Sequence, residues 1–398
     1  MATIGIDATA LATPSPGGIG TSQYQTMRAL AELETPHRFM LYATTPPLVP
    51  FTRKPLDVGW PLRLGSGPLT RSNVVWMQTG VNRLLAEDNV DVFWGPRHLL
   101  PLFARGPALV ATVHDFWGRY YPGQQPWLDR TATRLLTDRV MARADVLVAP
   151  SVSCARDVER FGRRTYGSVR VVPWGVDPAL FRPLPAELIA DVLARLGVGR
   201  PYVLSLDVFN PRKGFCAVLA AVARLPLGAG RHVPVAGARP PELVGLGRPR
   251  EGVAHLRLQV NSAQVGVRVH LPGNISTEDL VALYSGALAL VYPSIYEGFG
   301  MPILEAMACG CPVIAADRWS LPEVAGGAAL LVDPLRPDQL AEALTKLAED
   351  EGERARLVAA GRTRAAACTW RATALGMLQA FDEALGTRFV GVRGGPSF

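Results

Sequence analysis

From residue 3 to residue 334, short apolar runs alternate with amphipathic stretches, in two successive series. Alternation of this kind lets helices cover both faces of a parallel sheet, so it points to α/β architecture. The first series comprises TIGID (3–7), RFMLYA (38–43), VDVFWG (90–95), ALVATVH (108–114), VLVAPS (146–151) and VRVVP (169–173). The second comprises PYVLSLD (201–207), HVPVAG (232–237), VRVHLPG (267–273), ALALVYPS (287–294), CPVIAAD (311–317) and AALLVDP (328–334). Helices are expected between them, one from about Gly20 and another capped by Ser151. A length of 398 residues accommodates two such units, each with its own core.

The expected fold is therefore α/β, with two Rossmann-like doubly wound domains facing each other across a cleft. Three prolines in VDPALFRPLPAELIA place the boundary near Pro183. The domains are then 1–182 and 183–375, with 376–398 a C-terminal helix and tail returning to the first domain. In open sheets of this class ligands bind beyond the C-terminal ends of the strands, so the loops there carry the functional interest.

Charge narrows the partners. There are 41 basic and 34 acidic residues, a formal net charge of +7, and 19 basic against 14 acidic residues lie in the first 180. Basic surfaces serve nucleic acids, anionic lipids or phosphorylated ligands. No basic run exceeds two residues and no zinc-finger, basic-zipper or RNA-binding aromatic motif occurs, which argues against nucleic acid. The longest informative uncharged stretch, Leu280–Tyr296, is broken by Gly286 and Pro293, so membrane contact is expected to be peripheral at most. Five cysteines without C-x-x-C spacing, and no basic-then-apolar leader, suggest reduced thiols in the cytoplasm.

Two loops of the second series stand out. Tyr296-Glu297-Gly298-Phe299-Gly300-Met301-Pro302-Ile303-Leu304-Glu305 follows an apolar strand, and Pro302 and Gly310 mark the start and stop of a helix. Glycines beside a helix N-terminus suit a phosphate, through close backbone approach, unpaired N–H groups and the helix dipole. Glu297 and Glu305 are acceptors suited to sugar or ribose hydroxyls. The second loop, Asn210-Pro211-Arg212-Lys213-Gly214, sets two cations at a helix start, which the dipole disfavours unless an anion binds. Lys213 is one of only three lysines.

The first series contributes the glycine loop Gly17-Gly18-Ile19-Gly20 and the pair His114-Asp115 at a strand end, followed by Trp117 and Tyr120. Neither loop is G-x-G-x-x-G, which removes the main support for a nicotinamide dehydrogenase, and no H-E-x-x-H, D-x-D or G-x-S-x-G occurs. No metal or cofactor is expected. Cys309 and Cys311 are expected to line core.

In order along the chain, GGIG (17–20), HD with YP downstream (114–122), ADVLVAPS (144–151), VVPWGVD (171–177), PRKG (211–214) and YEGFGMPILEAMACGCPVI (296–314) resemble the retaining glycosyltransferases of family four, which have the GT-B architecture. The resemblance covers nearly the whole chain, and its E-x7-E element is highly specific. It implies metal-independent transfer of a hexose from a nucleotide diphosphate sugar, with retention, to a saccharide, lipid-linked or small natural-product acceptor. By matching motif, Arg212 and Lys213 would neutralise the diphosphate and Glu297 would hold the donor sugar. Backbone amides from Phe299, Gly300 and Met301 to Ile303 would assist, and Glu305 would bind the ribose. Gly17 and Gly18 would approach the donor phosphate and the acceptor, and His114 would touch the transferring sugar with Asp115 as reserve base. Trp117, Tyr120 and Trp174 are assigned to the acceptor side.

The GGIG and PRKG variants lean toward mannosyltransferase-like members and GDP-mannose. Asp207 stands where the family usually has glycine, and Trp174 where a small polar residue is frequent. Other readings are a GT-B sugar-nucleotide epimerase and a catalytically silent scaffold; a phosphorylase lacks its cofactor-lysine motif. On sequence grounds Lys213→Ala and Glu297→Ala should each abolish transfer and leave the fold intact.

Overall fold

A computed structural model describes residues 1–12, 17–49, 54–124, 127–165, 167–225, 241–248 and 268–393. The chain divides into two compact units, Met1–Trp174 with Trp370–Phe398, and Gly175–Thr369. The division falls at 174/175 and 369/370, where the sequence points to 182/183 and 375/376. Cores, rather than proline content, draw the line. Val176 already bridges to Thr369 within the second unit, whereas Ala374 and Met377 of the last helix are buried in the first.

Among the described residues, the first unit holds a parallel sheet of seven strands: β1 (Thr3–Asp7), β2 (Arg38–Ala43), β3 (Leu62–Leu64), β4 (Val92–Gly95), β5 (Ala108–Thr112), β6 (Val146–Ala149) and β7 (Arg170–Val171). Their spatial order is β3-β2-β1-β4-β5-β6-β7. The order reverses between β1 and β4, where Ile4 pairs with Val92, so the crevice for ligands opens beyond Asp7 and Gly95. Strands β1, β4, β5 and β6 are buried almost throughout because helices cover both faces. The edge strand β3 is half-exposed and lacks the long apolar run by which the others announce themselves.

The second unit repeats the plan with β8 (Tyr202–Leu206), β9 (Glu242–Leu246), β10 (Val269–Gly273), β11 (Ala289–Tyr292), β12 (Val313–Ala316) and β13 (Leu330–Val332). The order is β10-β9-β8-β11-β12-β13, with reversal between β8 and β11. The strand expected at 232–237 lies outside the described residues. Strand β9 escaped the sequence reading because ELVGL is short and interrupted by Gly245.

The helix Gly17–Ala31 and the last helix, Trp370–Arg393, belong to the first unit. The last helix is fastened by Thr373 Oγ1 donating to the Pro173 carbonyl at 2.7 Å and by Arg170 donating to Glu383 at 2.9 and 2.6 Å. Phe381, fully buried, lies edge-on to Phe39 and tilted against Trp94, with ring centroids 6.5 and 5.9 Å away. Truncating so large a side chain leaves a cavity as well as forfeiting its transfer energy. Phe381→Ala should therefore destabilise the first unit by about 3–5 kcal/mol and leave the second unchanged, as read by hydrogen exchange of the two sheets.

Candidate active site

The switch point of the second unit collects the residues that the sequence singles out. Beyond β8 the chain passes through Asp207, whose φ of 50° is left-handed, and Asn210, whose Nδ2 donates to Asp207 Oδ2 at 3.2 Å. The side chain of Asn210 accepts from the Arg212 amide and caps a 3-10 turn, Pro211–Lys213. The two cations thus occupy their own turn before the helix Phe215–Val222, rather than the helix start expected from the sequence. Gly214 makes the joint: its φ is +72°, and a Cβ there would lie 2.5 Å from the Pro293 carbonyl oxygen. No other residue lets the turn approach the end of β11 so closely. The Ile295 amide then donates to the Arg212 carbonyl at 2.9 Å, joining the two loops.

That joint brings Lys213 and Glu297 together in a buried network. Lys213 Nζ lies 2.5 Å from Glu297 Oε1 and donates to Tyr292 Oη at 2.7 Å. Tyr292 Oη and Ser294 Oγ donate to the same carboxylate oxygen at 2.9 and 2.6 Å. Lys213 and Glu297 are 8% and 9% exposed, so the pair is largely removed from water and its charges attract more strongly than an exposed pair would. Burial pushes the Glu297 carboxyl up, but Lys213, Arg212 and Ser294 outweigh it and hold the group below the usual carboxylate range. Glu297 is therefore an anion whose Oε1 carries three donors. Tyr292 and Ser294 were missed in the sequence. Their signal is two polar side chains, alternating as a strand requires, at the end of an otherwise apolar run.

The rest of the glycine loop leads into the helix Met301–Ala308, with Pro302 in its first turn and Gly310 in the left-handed conformation beyond it. Gly300 has φ +108°, and a Cβ there would meet Leu321 Cδ2 at 2.6 Å. Phe299 is buried, and the Ile303 amide already donates to the Gly300 carbonyl at 3.1 Å, which takes Ile303 out of the set of expected amide donors. Glu305 accepts from Tyr284 Oη at 3.1 Å, and burial raises its carboxyl to about 7 against that hydrogen bond. Cys309 and Cys311 are both buried free thiols.

In the first unit, His114 follows β5. Its Nε2 lies 2.5 Å from the Pro96 carbonyl, which fixes the proton there, and its Nδ1 is a buried acceptor with no hydrogen-bond partner. Burial and neighbouring His98 lower its pKa to about 4, so the ring is neutral at physiological pH. Trp174 lies 5.2 Å from it, ring to ring. Asp115 Oδ1 accepts from the Trp117 amide at 3.1 Å, and Trp117 stacks on Tyr121 at 4.2 Å. Tyr120 donates its hydroxyl to Asp157, which commits that hydroxyl to a contact within the fold. Gly17 and Gly18 open the helix Gly17–Ala31 rather than precede it; both are exposed, and Gly17, at φ +62°, keeps the left-handed geometry of a turn. No group of three or more His, Cys, Asp or Glu among the described residues is placed to hold a metal ion. No helix among them is long and apolar enough to cross a membrane.

Residues 16–180 match the family model described as Glycosyltransferase Family 4, and residues 194–364 match Glycosyl transferases group 1. Over 300 residues the chain is 32% identical to the MMP alpha-(1->4)-mannosyltransferase of Mycolicibacterium hassiacum, covering 72% of this chain and 68% of that protein. The chain belongs to the family 4 glycosyltransferases. It is also 32% identical over 186 residues to O-antigen chain mannosyltransferase B of Escherichia coli, and that match spans about half of each, 47%. The fold of this glycosyltransferase is similar to that of a sucrose-phosphate synthase from Thermosynechococcus elongatus, with a TM-score of 0.76 at 23% identity over 97% of this chain and 100% of that one.

The burial of Lys213 and Glu297 corrects the expectation that single truncations leave the fold untouched. Removing one partner strands a buried charge, whereas replacing both with neutral groups of similar shape does not. Lys213→Ala should lower unfolding stability by about 3–5 kcal/mol, and the double variant Lys213→Met with Glu297→Gln by clearly less than the sum of its single changes, as measured in a double-mutant cycle by denaturant unfolding.

Proposed function

We propose that this glycosyltransferase moves a hexose, with mannose favoured, from a nucleoside diphosphate sugar to an acceptor hydroxyl, retaining the anomeric configuration and using neither a metal nor a cofactor. The observation that carries the reading is the Lys213–Glu297 pair, with Arg212 adjoining, at the β8/β11 switch point. Breaking a glycosyl phosphate builds negative charge on the departing diphosphate, and cations fixed in advance stabilise it without reorganisation. Lys213 and Arg212 take the place a divalent metal fills elsewhere. The N-terminal end of the helix Met301–Ala308 adds partial positive charge through its dipole.

Glu297 has charge and acceptor capacity for sugar hydroxyls while its three donors hold it in place. The carboxyl of Glu305 receives the ribose hydroxyls. Attack occurs on the face from which the diphosphate leaves. The glycosyl–oxygen bond breaks, the acceptor oxygen bonds to the anomeric carbon, and the acceptor proton passes to the leaving phosphate oxygen. Within the first unit, neutral His114 beside Trp174 presents a buried ring acceptor with no hydrogen-bond partner. The acceptor is a saccharide, a lipid-linked saccharide or a small natural product. Mannosyltransferases among the relatives, including the two named above, support mannose as the sugar.

Incubating the purified protein with GDP-mannose, with and without an acceptor panel, tests this directly. Turnover should require an acceptor, the product should keep the anomeric configuration by NMR, and a chelator should leave the rate unchanged. Lys213→Ala should slow transfer at least about 100-fold. Acceptor-free conversion of the nucleotide sugar into an epimer would replace the proposal with the epimerase reading.

The pH dependence follows from Glu305. Burial raises its carboxyl to about 7, and the anion is the stronger acceptor for ribose hydroxyls. The KM for the nucleotide sugar should therefore rise as pH falls from 8 to 6, and Glu305→Gln should flatten that dependence while raising KM throughout.

A further inference from the structure

Four non-glycine residues among those described have positive φ: Asn89, Arg163, Asp207 and Trp319. Arg163 ends the helix Val152–Gly162 as a left-handed cap, and Asn and Asp tolerate this region through their short polar side chains. Trp319, at φ 57°, has no such excuse. A bulky residue persists in a strained conformation only where its surroundings hold it there, and such strain concentrates at functional sites. Trp319 lies between β12 and the short helix Leu321–Ala325, and neither loop motif of the donor site includes it.

Its surroundings are the Glu297 loop. Trp319 Nε1 donates to the Ile295 carbonyl at 2.9 Å, and its ring meets Tyr296 edge to face at 4.8 Å. Ser320, fully buried, has its Oγ 2.9 Å from the Glu297 carbonyl and 2.8 Å from the Phe299 carbonyl. Leu321 closes over Gly300, where a Cβ would collide with it. Ser320 also occupies the N-cap position of its helix, where serine ordinarily caps with its hydroxyl, yet makes no such bond. The hydroxyl is diverted to the neighbouring loop. The carbonyl of 295, and through one shared hydroxyl proton those of 297 and 299, are thus engaged by one segment, with side-chain donors in place of a ladder.

We infer that Trp319 and Ser320 are positioning residues for the donor: the left-handed turn at Trp319 sets a two-residue brace that holds the backbone of the Glu297 loop and thereby the aim of the Glu297 carboxylate. The inference rests on the proposed role of Glu297 in holding the donor sugar. Lys213, Tyr292 and Ser294 fix the carboxylate from the side-chain end, and the brace fixes it from the main-chain end. Without the brace, the loop retains its ion pair but loses the hydrogen bonds that define its path, so substrate binding bears the effect more than the chemical step does.

Two variants test it, Ser320→Ala and Trp319→Phe, the second keeping an aromatic ring but losing the N–H donor together with part of the indole. In the ligand-free protein, amide exchange at residues 295–300 should quicken about tenfold in Ser320→Ala and by less in Trp319→Phe, with exchange of β8 and β12 unchanged. With GDP-mannose, KM should rise several-fold and kcat should change little. Unchanged exchange in both variants, or acceleration spread evenly over the whole unit, would overturn the brace. Locally faster exchange with an unaltered KM would overturn its role in donor positioning. The exchange measurement needs no substrate, so failure of the wild-type protein to turn over any nucleotide sugar would count against the proposed function and leave the brace to be decided by exchange alone.

Discussion

The contact on which this structure turns is the buried pair of Lys213 and Glu297. Two charges that are each more than nine-tenths removed from water are tolerable only because each compensates the other and because Tyr292 and Ser294 supply further hydrogen bonds. Much of the second unit arranges that meeting. The parallel sheet reverses its order between β8 and β11, so the loops after those strands diverge above a crevice. Gly214 then lets one loop come against the other at Pro293. An ion pair so placed does little for stability by itself. What it does is fix a cation and an acceptor at one point before any ligand arrives, the preorganisation on which the proposed transfer relies.

The architecture was legible because parallel strands buried on both faces are continuous apolar runs, and most of those in the two series became strands. What escaped is what lacks that mark: β3, three residues on an exposed edge, and β9, split by Gly245. The unit boundary shifted because Trp370 and the helix it begins pack on the first core, a long-range fact that no local proline pattern encodes. At the site, Arg212, Lys213, Glu297 and Glu305 were readable from glycine and proline punctuation around charged residues. Tyr292 and Ser294 were concealed inside a strand. Trp319 and Ser320 were invisible because their role depends on a loop more than twenty residues away in sequence. The helix begins at Gly17 rather than near Gly20, and Gly17, at φ +62°, makes the turn into it, the left-handed geometry that glycine permits.

Charge shows the same difference between total and place. The excess of seven positive charges is nearly all arginine, and most of the ion pairs it forms are exposed, such as Arg336 with Asp338 or Arg83 with Glu87, where such contacts contribute little. One of the three lysines in the chain is the buried one. There a compact ammonium on a flexible stem sits between a phenol and a carboxylate.

The central claim is that the Lys213–Glu297 switch point recognises a diphosphate attached to a nucleoside. Calorimetric titration of the purified protein with guanosine, GMP and GDP tests it most directly. The account predicts that affinity rises by about an order of magnitude with the second phosphate and that Arg212→Ala removes most of that gain. Equal affinity for GMP and GDP, or a gain untouched by Arg212→Ala, would contradict it.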